Sequence, residues 1–249
     1  MSYSFKIIAS VVVILFLFTN CEDKKKTTTL TTKNSTENSS TSEINNNEDS
    51  NNVDTFQKET KKEVPKYEKI TNKNVVAFLS KYGKENPETK VKITTRLGEI
   101  DIELFESTPL HRANFIYLAK QGYYNTTFFH RVVSNFIIQA GTSDNWSTPK
   151  MRDKLGPDYR IPAEIKINHT YGTLSGAKYY RDNDDKKSEP YEFFIFLGPQ
   201  KSTSHLNGNY TVFGKVTNGM DVVKKIANEP KDEQEWPLTN VELTVEVME

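Results

Sequence analysis

Apolar positions along this chain fall into three regimes. Near the start, Ile7 to Phe18 form a nearly unbroken apolar run behind Lys6. From Glu22 to about residue 66 the apolar positions lose any period, and Thr, Asn, Ser, Glu and Lys take over. Such a stretch cannot bury enough surface to offset the entropy of ordering it, which makes residues 21–66 a disordered polar tether. Beyond residue 67 apolar residues recur at helical or strand spacing, and the folded part is expected there.

Val75, Val76, Phe78, Leu79 and Tyr82 fall near one face of a helix over 72–82, with Gly83 as its stop. Residues 67–89 therefore read as an N-terminal helical extension. Val91 and Ile93, then Ile100, Ile102 and Leu104, alternate with polar residues about a turn at Arg96 to Glu99, the pattern of a half-buried hairpin. Thr108-Pro109 reads as a helix start, with Ala113, Ile116, Leu118 and Ala119 inward and an end at Gly122. Strands are expected on both sides of a Ser134-Asn135 turn, then over 161–167, 171–177, 193–197, 210–216 and 241–247, with a helix over 220–227. Residues 142–160, with Trp146, Pro149 and Pro157, read as loop, and 178–190 as a charged surface loop. Its Asp182-Asn183-Asp184-Asp185 lacks the spacing and glycine of a calcium loop. Short alternating strands plus two helices predict a mainly-β fold over 90–249: a closed antiparallel barrel capped at its ends.

Composition narrows the function classes. The chain carries 33 basic and 33 acidic residues, a formal net charge of zero, and no basic stripe suited to nucleic acid. Its four histidines are far apart and no cysteine lies near them, so no zinc spacing exists and no cofactor is expected. The only cysteine, Cys21, follows the apolar run. Lys6 and a dozen apolar residues fit a signal peptide over 1–20 and fall short of the roughly 20 residues that span a bilayer. Cysteine at this place resembles a bacterial lipobox, which implies a lipid on Cys21 and a membrane-anchored protein on the periplasmic or surface face of the envelope. Phe18, Thr19 and Asn20 depart from the usual lipobox residues. An uncleaved short anchor, or an ordinary signal peptide with an incidental cysteine, are the alternatives.

Candidate chemistry lies in 128–141, which places His130, Arg131 and Gln139 in strand-like apolar sequence. Period-two alternation puts Phe129, Arg131 and Val133 on one face, Ile137 and Gln139 on one face, and Phe136 and Ile138 on the other. His130 then points away from Arg131 and is expected to be a buried histidine bonded to backbone. Periodicity leaves two readings open: an apolar pocket with a fixed cation, or a core strand whose Arg131 reaches out to water. Ser175 in Gly172-Thr173-Leu174-Ser175-Gly176 does not form the nucleophile elbow of hydrolases.

The run Phe129-His130-Arg131-Val132-Val133, followed by Phe136-Ile137-Ile138-Gln139-Ala140-Gly141, resembles the signature of the cyclophilin-type peptidyl-prolyl isomerases. The resemblance covers about residues 90–248 and implies an eight-stranded barrel closed by two helices. It implies rotation of Xaa-Pro bonds without a cofactor, in proline-containing unfolded or exported polypeptides, by a monomer. By it Arg131 is the catalytic arginine, and Phe136, Ile137, Phe194, Leu206 and Tyr210 wall the proline ring. Gln139 contacts a substrate carbonyl, and Ala177 supplies backbone to the residue before proline. Ile137 replaces the family's methionine, a volume-conserving change. Glu192 replaces glutamine beside the site, able to pair with Arg131 or to compete with substrate for it. Gly176, Lys178 and Tyr179 depart from the family's Met-Ala-Asn-Ala run. His205 stands where cyclosporin-sensitive members have tryptophan, which implies weak cyclosporin binding. The rival reading is a chaperone or adaptor of the same fold that holds proline segments with little turnover.

Overall fold

The computed structural model describes residues 68–179 and 184–249, so the expected signal peptide, Cys21 and the tether lie outside the described residues. The elements are α1 (Val75–Glu85), β1 (Lys90–Thr95), β2 (Gly98–Leu104), α2 (Pro109–Lys120), β3 (Phe128–Val133), β4 (Ile137–Thr142), α3 (Ser147–Leu155), β5 (Thr173–Gly176), β6 (Phe193–Phe196), β7 (Val212–Asn218), α4 (Met220–Ala227) and β8 (Thr244–Met248).

The eight strands form one antiparallel sheet in the order β3-β4-β6-β5-β7-β2-β1-β8. The sheet curls until its edges approach, but the barrel is open. No ladder joins β3 to β8 among the described residues; an isolated bridge between Phe128 and Glu242 spans the seam. The Phe129 N–H donates to the Val241 carbonyl at 2.9 Å beside it. The expected closed barrel is corrected to that extent, and the reason lies in the last strand. Only its lead-in at 241–243 meets β3, after which Thr244–Met248 pair with β1.

Four further expectations change. The first helix runs on through Gly83 to Glu85. There the missing side chain lets α2 approach: a Cβ on Gly83 would lie 2.9 Å from the Ala113 Cβ. A buried Arg112 donates to the Gly83 carbonyl at 3.0 Å, so this glycine serves a helix contact rather than a stop. Val76, expected on the inner face, is exposed. Residues 147–155, read as loop, are α3; Pro149 stands in its first turn, where a missing N–H breaks no intrahelical bond.

No strand forms over 161–167, where Ile161 makes only a bridge to Ser188. That segment instead delivers Glu164 to the start of α2. Its carboxylate accepts from the Leu110 and His111 amides at 3.1 and 3.0 Å and from His111 Nδ1 at 2.7 Å. A carboxylate on the free N–H groups of a helix start is the favourable arrangement. Burial works against the charge, but these bonds outweigh it and hold Glu164 below its ordinary value.

Two apolar clusters share β4 and β6. Ile138, Ala140, Phe193 and Ile195 join the main core with Phe115 and Phe213. The alternate residues Ile137, Phe194 and Phe196 join Leu206 and Tyr210 in a second cluster, with Val133 and Phe136 packed on it. This is why β6 reads Phe-Phe-Ile-Phe without polar alternation: both faces of the strand are covered.

Candidate active site

The second cluster opens into a cavity of about 320 Å³ lined by Arg131, Phe136, Ile137, Gln139, Ala177, Lys178, Phe194, His205, Leu206 and Tyr210. Cross-strand register builds its floor. Arg131 on β3 lies opposite Gln139 on β4, which lies opposite Phe194 on β6. The next row is Val133, Ile137 and Phe196. One face of three adjacent strands thus sets a cation, an amide and an aromatic ring side by side.

Strand parity fails in the β3–β4 pair. Register shifts between Phe128 and Phe129 and again between Phe129 and Arg131, and the second irregularity falls at His130. An irregularity of this kind resets which face the following residues take. Phe129 is buried in the main core, edge-on to Phe193, and does not share the face of Arg131 as the alternation predicts. Phe136 lies in the turn before β4, so parity does not govern it, and it meets Ile137 in the same cavity. Asn135 takes φ 58° in that turn, and the Leu197 N–H donates to the Phe136 carbonyl at 2.7 Å, pinning it.

The far wall comes from the turns after residue 203. Tyr210 packs edge-on against Phe194 at 5.7 Å between centroids, and His205 lies against Phe136 at 5.6 Å. Behind Phe194 the buried His169 ring stacks parallel at 5.8 Å, its nitrogens bonded to Asn207 Oδ1 and Ser175 Oγ. Burial lowers the affinity of His169 for a proton below the ordinary histidine value.

Arg131 is held by a residue that sequence reading missed. Its Nε donates to Glu235 Oε2 at 2.7 Å, and no described residue engages either Nη nitrogen. Glu235 sits at φ 68° in a tight turn, where its carbonyl accepts from the Val132 amide at 2.8 Å. The two residues are 104 positions apart, so no local pattern could announce the pair. Lys178, also absent from the expected set, enters the cavity wall from the run flagged as unusual at 176–179.

Glu192 does not pair with Arg131. It lies outside the cavity lining and accepts from Gln139 Nε2 at 3.0 Å, with Arg152 Nη2 at 3.5 Å and His130 Nε2 at 3.6 Å. Of the two roles open to Glu192, the pairing with Arg131 is not made: Arg131 bonds Glu235 instead. A carboxylate only accepts, so Gln139 must turn its amide N–H toward it. His130 is buried; its burial lowers its proton affinity and Glu192 pulls the other way. Ala177 has both backbone groups engaged within the chain, its N–H to the Glu192 carbonyl at 3.2 Å and its carbonyl from the Glu189 N–H at 2.8 Å.

Beside this group Glu189 is pushed up to about 7, by burial first and by Glu192 second, against the pull of Arg152 and Arg160. The folded chain then holds a proton that the unfolded chain has released, so stability falls as pH rises from the ordinary glutamate range through 7. Glu189→Gln is expected to gain on wild type by about 2 kcal/mol between pH 5 and pH 8. Denaturant melts at both pH values read it, and a pH-independent difference would contradict it.

A family model described as cyclophilin type peptidyl-prolyl cis-trans isomerase/CLD matches residues 90–247. The chain is 37% identical over 145 residues to a peptidyl-prolyl cis-trans isomerase of Acinetobacter baylyi, covering 57% of this chain and 73% of that one. It is also 37% identical over 166 residues to a peptidyl-prolyl cis-trans isomerase-like 2 of Rhizopus delemar, where the match spans 65% of this chain and only 29% of the relative. A crystal structure of a cyclophilin-type peptidyl-prolyl cis-trans isomerase of Cryptosporidium parvum superposes with a TM-score of 0.54 at 28% identity, covering 65% of this chain and 98% of that one. The Cryptosporidium protein has also been crystallised in the presence of the dipeptide Ala-Pro, and that structure superposes with a TM-score of 0.52.

Proposed function

The chain belongs to the cyclophilin-type peptidyl-prolyl cis-trans isomerases, and from that membership we propose that Arg131 and the cavity around it turn Xaa-Pro bonds in exported polypeptides while lipid on Cys21 holds the protein to a bacterial membrane. Amide resonance sets a rotation barrier of about 18–20 kcal/mol. Catalysis needs only a site that favours the twisted amide over both planar forms. In the twisted state the prolyl nitrogen regains its lone pair, and a donor aimed there is stabilising in that state alone. Phe136, Ile137, Phe194, Leu206 and Tyr210 seat the ring, and Gln139 reaches a substrate carbonyl.

The observation that carries this reading is the guanidinium of Arg131 in the same cavity as Phe136, Phe194 and Leu206, tied through Nε and with both Nη nitrogens unengaged among the described residues. A guanidinium is permanently protonated and presents rigid donors. Acceleration of cis-to-trans conversion of a short Ala-Pro peptide tests it, and a rate equal to the uncatalysed one would overturn it.

The envelope part rests on the basic start, the apolar run and Cys21. Wild type is expected to enter the detergent phase of a two-phase extraction and Cys21→Ala the aqueous phase. Equal partitioning of the two would remove the lipid anchor from the proposal.

A further inference from the structure

We propose that the cavity selects proline segments in which the residue before proline is acidic, through the ammonium of Lys178. This rests on the isomerase reading of the same cavity and adds a substrate class to it. Two side chains in the lining carry a permanent or near-permanent positive charge, Arg131 and Lys178, and no carboxylate among the described residues lines it. Arg131 is already matched by Glu235. Lys178 makes no ion pair with any described residue; its ammonium lies 4.7 Å from the centroid of the Tyr210 ring, one wall of the cavity. A ring face is a weak partner for a cation compared with a carboxylate.

The neighbourhood adds to the same sign. Lys186 donates to the Gly208 carbonyl at 2.8 Å, two residues from Tyr210, and no described carboxylate pairs with it. Burial, and then repulsion from Lys186, lower the hold of Lys178 on its proton. An anion placed here would relieve both effects. Of the nearby described carboxylates, Glu192 is committed to Gln139 and Arg152 and Asp185 to Lys187, while Glu189, whose N–H bonds the Ala177 carbonyl, makes no ion pair with Lys178.

Chain order and backbone bonding point to the substrate position that meets Lys178. On the proposed reading the residue before proline lies along Ala177, and Lys178 follows it directly. Ala177 has spent its N–H, and its carbonyl already has a donor inside the chain, whereas the peptide N–H and carbonyl of Lys178 make no backbone bond with a described residue. Pairing of substrate backbone at Lys178 brings the preceding side chain to the ammonium. A glutamate there is long enough to reach it, and a lysine would be repelled.

The test compares peptides that differ only before proline, Ala-Glu-Pro-Phe, Ala-Gln-Pro-Phe and Ala-Lys-Pro-Phe with blocked ends. Two-dimensional exchange NMR reads catalysed cis-trans exchange, and chemical-shift titration reads Kd. The expected order is Glu above Gln above Lys, with a Glu/Gln ratio in kcat/KM of about three- to fivefold at low salt. The ratio should shrink toward one in 0.5 M salt, about the concentration at which screening reaches a few ångströms. In Lys178→Gln it should also fall to one. A Glu/Gln ratio at or below one in wild type would overturn the proposal, and so would a ratio unchanged in Lys178→Gln. Absence of catalysed exchange for all three peptides would instead defeat the isomerase reading, and the Kd ratio would still decide the preference.

Discussion

Arg131→Ala is expected to lower kcat/KM for a short Xaa-Pro peptide by roughly 100- to 1,000-fold, the usual loss when a donor to developing charge is removed. The loss should fall on kcat, because the donor meets an electron pair that exists only in the twisted state. The ring seat of Phe136, Ile137, Phe194 and Leu206 does not depend on the guanidinium, so Kd for the peptide should change by less than about threefold. Arg131→Lys should recover little. A lysine brings a charge but not a planar fork, and it cannot present one nitrogen to Glu235 while keeping two others for the substrate. Stability should hardly move, since the Arg131–Glu235 pair is partly exposed and such pairs contribute at most about 1 kcal/mol. An isomer-specific protease assay of wild type and both variants reads the rates. If Arg131→Ala keeps its rate within threefold, shape alone turns the bond and the guanidinium has no part in it.

What could be read from the chain beforehand follows from how far apart the interacting residues are. Strands and helices with local periodicity were legible: the hairpin of β1 and β2, the α2 helix, and β6 with its run of four apolar residues. Most of the cavity residues were legible too: one dense motif at 129–141 carries four of the ten, and resemblance supplies the others except Lys178. Features that depend on contact across the chain were not. Glu235 meets Arg131 across 104 positions. Glu164 looks like a strand residue until the start of α2 claims its carboxylate. Gly83 reads as a stop and turns out to be a place where Ala113 comes close. The irregularity at His130 was invisible because alternation assumes an unbroken ladder, and one shift in register sends Phe129 to the core. Pairing with Arg131 was one of two roles open to Glu192; the arginine beside it is Arg152, carried by α3, an element the prolines disguised as loop.

Gly141→Ala should be the most damaging conservative change near the site, with a stability loss of at least about 3 kcal/mol. Gly141 takes φ 109°, in the region that L side chains rarely adopt, so a Cβ is strained there before any contact is considered. That Cβ would lie 2.0 Å from the Tyr191 carbonyl oxygen and 2.9 Å from the Glu192 Cα, and both obstacles are backbone. Gly141 cannot swing aside either, because its carbonyl is fixed, accepting from Tyr123 Oη at 2.7 Å and from Arg152 Nη2 at 3.1 Å. Relief requires β4 and the chain entering β6 to part, and those two strands carry Gln139 and Phe194. Activity should therefore fall along with stability. Gly208→Ala separates the two causes, since Gly208 also has a positive φ, 74°, but meets nothing within 4 Å. It should cost only about 1 kcal/mol, the conformational share alone. Urea midpoints for the two variants measure the difference. Equal losses would mean that the Tyr191 backbone yields and that the wall between β4 and β6 is softer than its contacts imply.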